Sequence, residues 1–181
     1  MVDAAILPLS TAEVAQLRAN TPGADNVVHL NHAGSSLPTQ ATLDTQIHHL
    51  QREAMTGGYE AANEAADRSE RVYASIGSLI GAKHYEIARL EQATAAWNAG
   101  FWSIPMEPGQ RIITANAAYG ANAVAFLRAV ERRGVTIDVV GDDEHGHVDV
   151  DELARRVDSD VALIAVTHVP TNGGLVNPAA A

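Results

Sequence analysis

The chain has 181 residues, 46% of them hydrophobic, enough to bury one sizeable core, and 22 acidic against 12 basic residues give a net charge of -10. That charge repels phosphate backbones and anionic lipid, and without a basic run it argues against a nucleic-acid partner. The absence of cysteine excludes disulfides, thiolate chemistry and a cysteine zinc site; no stretch reaches the roughly 18 apolar residues of a membrane span, and no basic-then-apolar secretion signal opens the chain, so a cytoplasmic setting is expected.

In chain order, Ser10 is placed to cap a short helix from Thr11, with Glu13 at the position of a capping-box acid, and residues 20–25 break it. Val27-Val28-His29-Leu30 reads as an extended piece, ended by the turn-forming Asn31-His32-Ala33-Gly34-Ser35-Ser36. Pro38 suits the first turn of the next helix, which should run to about Met55 and stop at Gly57-Gly58. A longer helix over 60–80 sets Ala65, Val72, Ile76, Leu79 and Ile80 near one face, with Gly81 as its stop. Beyond it, short apolar runs alternate with helices: strands are expected at 87–90, 111–114, 135–140 and 161–166, and helices at 94–104, 122–133 and 149–157. The fold class is therefore α/β, N-terminal helices followed by a mostly parallel sheet with helices on both faces, divided into an N-terminal segment, 1–60, and a sheet domain, 61–181.

In such a sheet, ligands bind beyond the carboxyl ends of the strands, which singles out the loops 91–94, 115–121 and 167–174. All three are short of large side chains and rich in Thr, Asn, Ala and Gly, so a ligand can approach their backbone amides; the same residues also make ordinary tight turns. The eight histidines offer no metal-ligand spacing, since adjacent His48 and His49 point about 100° apart on a helix and His145 and His147 flank Gly146 in a polar turn. No metal site is expected.

The segment Leu90-Glu91-Gln92-Ala93-Thr94-Ala95-Ala96-Trp97-Asn98 resembles the phosphate loop of the class V aminotransferases, a family of pyridoxal phosphate (PLP) enzymes that includes cysteine desulfurases and isopenicillin-N epimerase. A helix start offers free amides and the positive end of a dipole, and a threonine hydroxyl adds a donor, so the resemblance places the cofactor phosphate on Ala93 and Thr94. Gln92 is a departure, standing where the family usually has glycine. Asn116-Ala117-Ala118-Tyr119-Gly120-Ala121-Asn122 falls where the family stacks a ring on the cofactor; Tyr119 matches it, with tyrosine in place of the commoner histidine, as in some epimerase-like and ergothioneine-lyase-like members. Gly57-Gly58-Tyr59 leans the same way. Thr167-His168-Val169-Pro170-Thr171-Asn172-Gly173-Gly174 is similar to the family segment at the ring-hydroxyl side, with Thr171 in the contacting position and Asn172 offset by one. His29 to Pro38 is similar to the N-terminal family segment near the substrate, which implies substrate contacts for Asn31 and His32. Residues 79–83 and 141–149 match architectural segments, and the likeness extends in order over 28–178, as part of a PLP-binding large domain.

PLP chemistry needs a lysine amine that condenses with the cofactor and an acid beside the pyridine nitrogen. The single lysine, Lys83, falls in a turn before the sheet, away from the strand carboxyl ends. The resemblance thus implies the front part of an enzyme acting on an amino acid by transamination, elimination, desulfuration or racemisation, as a homodimer when complete. The resemblance also implies that this chain is a fragment, split gene product or truncated form, and it is expected to have no catalytic residue of its own and to be inactive alone. Two alternatives stand beside it: a non-catalytic or split-enzyme module that needs a complementing chain, and a nucleotide-binding Rossmann-like domain, which lacks its Gly-x-Gly-x-x-Gly loop.

Overall fold

The computed structural model describes residues 8–171 and 173–180. The chain divides into two units, Met1–Ala88 and Arg89–Ala181.

The first unit is helical. Helix α1, Thr11–Ala19, starts on a complete capping box: the Ser10 hydroxyl accepts the Glu13 N–H at 3.2 Å, and the Glu13 carboxylate accepts the Ser10 N–H at 2.8 Å. Helix α2, Gln40–Thr56, is capped by Thr39, so Pro38 lies just outside the helix rather than in its first turn. The Thr39 hydroxyl accepts the Thr42 N–H and so satisfies one of the free first-turn amides. The single helix expected over 60–80 is two, α3, Gly58–Glu64, and α4, Ala66–Ile80, parted at Ala65, whose N–H is shared between the carbonyls of Ala61 and Ala62. Arg52 grips Glu64 through two hydrogen bonds, 3.0 and 2.6 Å, and ties α2 to α3. Gly81, at φ 72°, ends α4 as expected, with the Ala82 N–H returning to the Gly77 carbonyl at 2.8 Å. The expected apolar face is only partly a buried one: Ala65 is buried and Val72 and Ile76 half-buried, whereas Leu79 and Ile80 are 85% and 64% exposed. An apolar stripe becomes core only where another element covers it, and at these two positions solvent does.

The second unit is the α/β part. It contains helix α5, Ala93–Ser103, strand β1, Arg111–Ala115, helix α6, Gly120–Arg133, strand β2, Thr136–Val140, helix α7, Val150–Arg156, and strand β3, Val161–Ala165. The sheet is wholly parallel in the order β2-β1-β3. Because β1 is central, Ile112 and Ile113, which point to opposite faces, are both completely buried. Ile112 packs on Phe101 of α5 and on Ala125, Phe126 and Ala129 of α6, while Ile113 packs with Val140, Val148 and Leu153 on the α7 face. Helices therefore cover both faces, as the sequence pattern required. Both tryptophans and both phenylalanines of the chain meet on the first face: Phe101 lies 6.0 Å from Trp97 in a stacked pair, 5.7 Å from Phe126 and 5.1 Å from Trp102.

One expected strand is absent. Residues 87–90 follow a short 3-10 turn, His84–Glu86, and join no ladder among the described residues. A strand exists through its neighbour's hydrogen bonds, and apolar composition alone supplies none.

Candidate functional site

The strand order sets where a ligand can sit. From β1 the chain crosses by α6 to β2 on one side, then by α7 past β1 to β3 on the other, so the strand order reverses between β1 and β3. The crevice beyond the carboxyl ends of β1 and β3 is a topological switch point. Tyr119 and Thr171 lie in these two loops.

Ala93 and Thr94 form the first turn of α5, and Tyr119 is the residue immediately before α6. Thr94 and Ala121 line one cavity of about 420 Å³, so the starts of α5 and α6 are neighbours. Neither start carries a side-chain cap or an acidic residue in its first turn. In contrast, α1, α2 and α7 are capped by Ser10, Thr39 and Asp149. Helices α3 and α4 also lack caps, but each begins within a residue of the preceding helix. The α5 and α6 starts thus leave their first-turn amides without side-chain caps, each at the positive end of a helix dipole, the electrostatics an anion needs, while the cavity itself runs on along the sides of both helices to Trp102 and Arg132. Gln92 sits at φ -158°, ψ 161°, an extended conformation open to any residue, so the backbone has no need of the family's glycine here.

Tyr119 is 54% exposed, and Thr171 is half-buried. Asn172 lies outside the described residues. In the first unit, Asn31 Oδ1 accepts the Gly34 N–H at 3.0 Å, and the His32 ring meets His29 edge-on at 4.6 Å while His29 Nε2 donates to the Ser35 carbonyl at 2.7 Å. These bonds make the 31–35 turn self-supporting. Lys83 is exposed in the turn after α4, its ammonium 5.5 Å from the Tyr85 ring centre.

Three asparagines to which the sequence pattern assigns no role of their own make bonds in the structure. Asn98 donates to the Thr94 carbonyl at 2.8 Å and accepts from Trp102 Nε1 at 3.1 Å, a ladder along one side of α5 whose i,i+4 spacing was legible. Asn116, in the Tyr119 loop, donates to Asp142 at 3.1 Å. Asn177 is 3% exposed and bonds two loops at once, which no local pattern signals. Burial pushes the Asp143 carboxyl up, but N–H groups from His147 and His145, each at 2.8 Å, outweigh it and hold the group below its ordinary range.

Along the open edge of β3 runs a second cavity, about 550 Å³, lined by Trp97, Phe101, Ile104, Phe126, Leu163 and Ile164 among others. The Trp97 indole N–H is buried and finds no acceptor among the described residues.

A parallel sheet with helices on both faces and a reversal of strand order between β1 and β3 defines a doubly wound α/β protein. The chain belongs to the class V aminotransferase family, whose model, "Aminotransferase class-V", matches residues 28–181. Similar curated proteins include a probable cysteine desulfurase of Halobacterium salinarum, 22% identical over 169 residues that make up 90% of this chain and 41% of that protein. Another, from Xylella fastidiosa strain Temecula1, is 25% identical over 189 aligned residues, 98% of this chain and 45% of that protein. Among solved structures, a cysteine desulfurase of Escherichia coli matches with TM-score 0.75 at 21% identity, over 92% of this chain and 44% of that one. A C-DES mutant with glycine covalently linked to the PLP cofactor matches with TM-score 0.77 at 15% identity, over 89% and 43%. The chain spans less than half the length of these relatives, and the structural likenesses show the fold. No helix among the described residues is long and apolar enough to cross a membrane.

Proposed function

We propose that this chain supplies the phosphate and ring-stacking sides of a PLP site in an enzyme acting on an amino acid. The observation that carries the reading is the pair of uncapped helix starts, at Thr94 and just after Tyr119, which are neighbours in the fold. The residues present fit the cofactor: the first-turn amides of α5 and the Thr94 hydroxyl donate to a dianionic phosphate, the exposed Tyr119 ring offers a flat face to a pyridine, and the Thr171 hydroxyl serves the ring oxygen. When bound, PLP supplies an electron sink for the α-carbon of the amino acid. Asn31 and His32 are assigned to the substrate on the family resemblance alone.

Covalent anchoring of the cofactor and proton transfer at the α-carbon fall to groups outside this chain, because its single lysine lies in an exposed turn next to Tyr85. The chain alone is accordingly proposed to be inactive, and the complete enzyme to be a cytoplasmic homodimer. Cysteine desulfurases among the relatives favour cleavage of a carbon–sulfur bond as the reaction, ahead of transamination or racemisation. A second reading, a module completed by another polypeptide, is favoured by the apolar groove beside β3, whose outer edge and whose Trp97 indole N–H find no partner among the described residues.

The test is a PLP titration of the chain followed by quenching of Trp97 and Trp102. Thr94→Val should weaken binding roughly tenfold through loss of a charge-assisted hydrogen bond. Tyr119→Ala should weaken it by a smaller factor, roughly three- to tenfold. Wild-type affinity in both variants would overturn the proposal, as would a borohydride-stable adduct at Lys83 for the view that this lysine takes no part.

A further inference from the structure

We infer that Asn177 is a positioning residue that fixes the Thr171 loop against the turn following β2, and so sets the ring-oxygen side of the site; the inference rests on the PLP reading above. Asn177 is 3% exposed, and its amide is used at both ends. Its Oδ1 accepts the Val148 N–H at 2.9 Å, and its Nδ2 donates to the Thr167 carbonyl at 2.7 Å. Its own N–H donates to the His168 carbonyl at 2.7 Å, closing the loop that carries Thr171. Leu175 leans over the same junction, within 3.8 Å of where a Cβ on Gly146 or on Gly173 would stand.

The turn that Asn177 grips is itself firm. Asp142 and Val148 form an antiparallel bridge, the Asp143 N–H donates to the His147 carbonyl at 2.7 Å, and the Asp143 carboxylate accepts two further amides. At its other end the turn receives the Asn116 amide on Asp142. The loops leaving all three strands are thereby cross-linked: Asn116 joins the Tyr119 loop to the 142–148 turn, and Asn177 joins that turn to the Thr171 loop. The distance between the stacking ring and the Thr171 hydroxyl is then held by two asparagine amides instead of by the loops themselves.

The chemistry at 177 is specific. The side chain must accept from an N–H and donate to a carbonyl at two separated atoms, which a primary amide does and a carboxylate or an alkyl group does not. Asn177→Asp keeps the acceptor and loses the donor; Asn177→Ala loses both.

The experiment compares PLP with inorganic phosphate as ligands of the full chain, alongside amide exchange at Val148. Phosphate alone needs the α5 start, whereas PLP also needs the Thr171 side. Asn177→Ala should lower PLP affinity about tenfold and leave phosphate affinity unchanged, with Asn177→Asp between it and wild type. The Val148 amide should exchange slowly in the wild type and fast in Asn177→Ala. Ala129→Gly, which loosens the buried face of α6 away from these loops, should leave the ratio of the two affinities unchanged, so that general destabilisation is told apart from positioning. Should Asn177→Ala fail to fold, Asn177→Asp carries the comparison. A folded variant with fast Val148 exchange and wild-type PLP affinity would overturn the inference while leaving the PLP reading intact; a wild-type chain that binds neither ligand would overturn both.

Discussion

The two units of this chain use similar helix-forming sequence and reach opposite results. In the second, Ile112, Ile113, Val140, Phe101 and Phe126 are almost wholly buried between a central strand and helices on both faces. In the first, burial among the described residues is confined to Ala61, Ala65 and Gly77, while Leu43, Ile47, Leu50, Met55 and Tyr59 stay exposed. The difference lies in geometry. A strand buried on two faces collects neighbours from both, whereas a helix covers one stripe and gains nothing until that stripe is met.

The sharpest way to break the comparison is a paired truncation. Phe126→Ala, in the aromatic cluster, should cost about 3–5 kcal/mol, whereas Leu50→Ala on α2 should fall within about 0.5 kcal/mol of wild type. Denaturant titration read by Trp97 and Trp102, both in the second unit, measures the first; circular dichroism reads the helices for the second. Equal losses would show that unit one has a core of its own.

Acid should act on both units, since Glu64 in the first is also held below its ordinary range, by the hydrogen bond from Arg52. Asp158 is held below its ordinary range by the hydrogen bond from Arg111, at 2.8 Å, and Asp143 is lowered as described above. For a carboxylate depressed in the folded state, the stabilisation is complete above the unfolded value, near about 3.9, and drains away as pH falls through the lower folded value. The second unit should therefore lose stability below about pH 4, first at the 142–148 turn, and amide exchange of His145 and His147 follows it. Their N–H groups are the ones Asp143 accepts. Both aspartates are solvent-exposed in part, so the effect should shrink with added salt.

The smallest expected effect tests the capping contrast. Ser10→Ala should cost α1 about 1 kcal/mol, seen as faster exchange at residues 11–14, because it removes the cap that α5 and α6 do without. Placing a cap at an open start is the converse: Gln92→Asp should steady α5 and weaken phosphate binding, since the carboxylate occupies the amides and repels the anion.

Much of this molecule was decided locally. The Ser10 capping box, the Gly81 stop and the three strands of the sheet follow from hydrogen-bonding groups and apolar runs a few residues apart, and they form within a residue or two of where the pattern put them. The helix starts at Thr94 and after Tyr119 were legible for the same reason. Nothing in the pattern of 87–90 told that no strand would pair with it, nor did the stripe of α4 tell that Leu79 and Ile80 would face water. Which side of β1 receives β3, and hence where the switch point lies, is likewise a matter of long-range pairing. So is the burial of Asn177, whose partners stand 29 and 10 residues away in the chain. Sequence fixes the groups that must be satisfied; only the folded chain decides which distant atoms satisfy them.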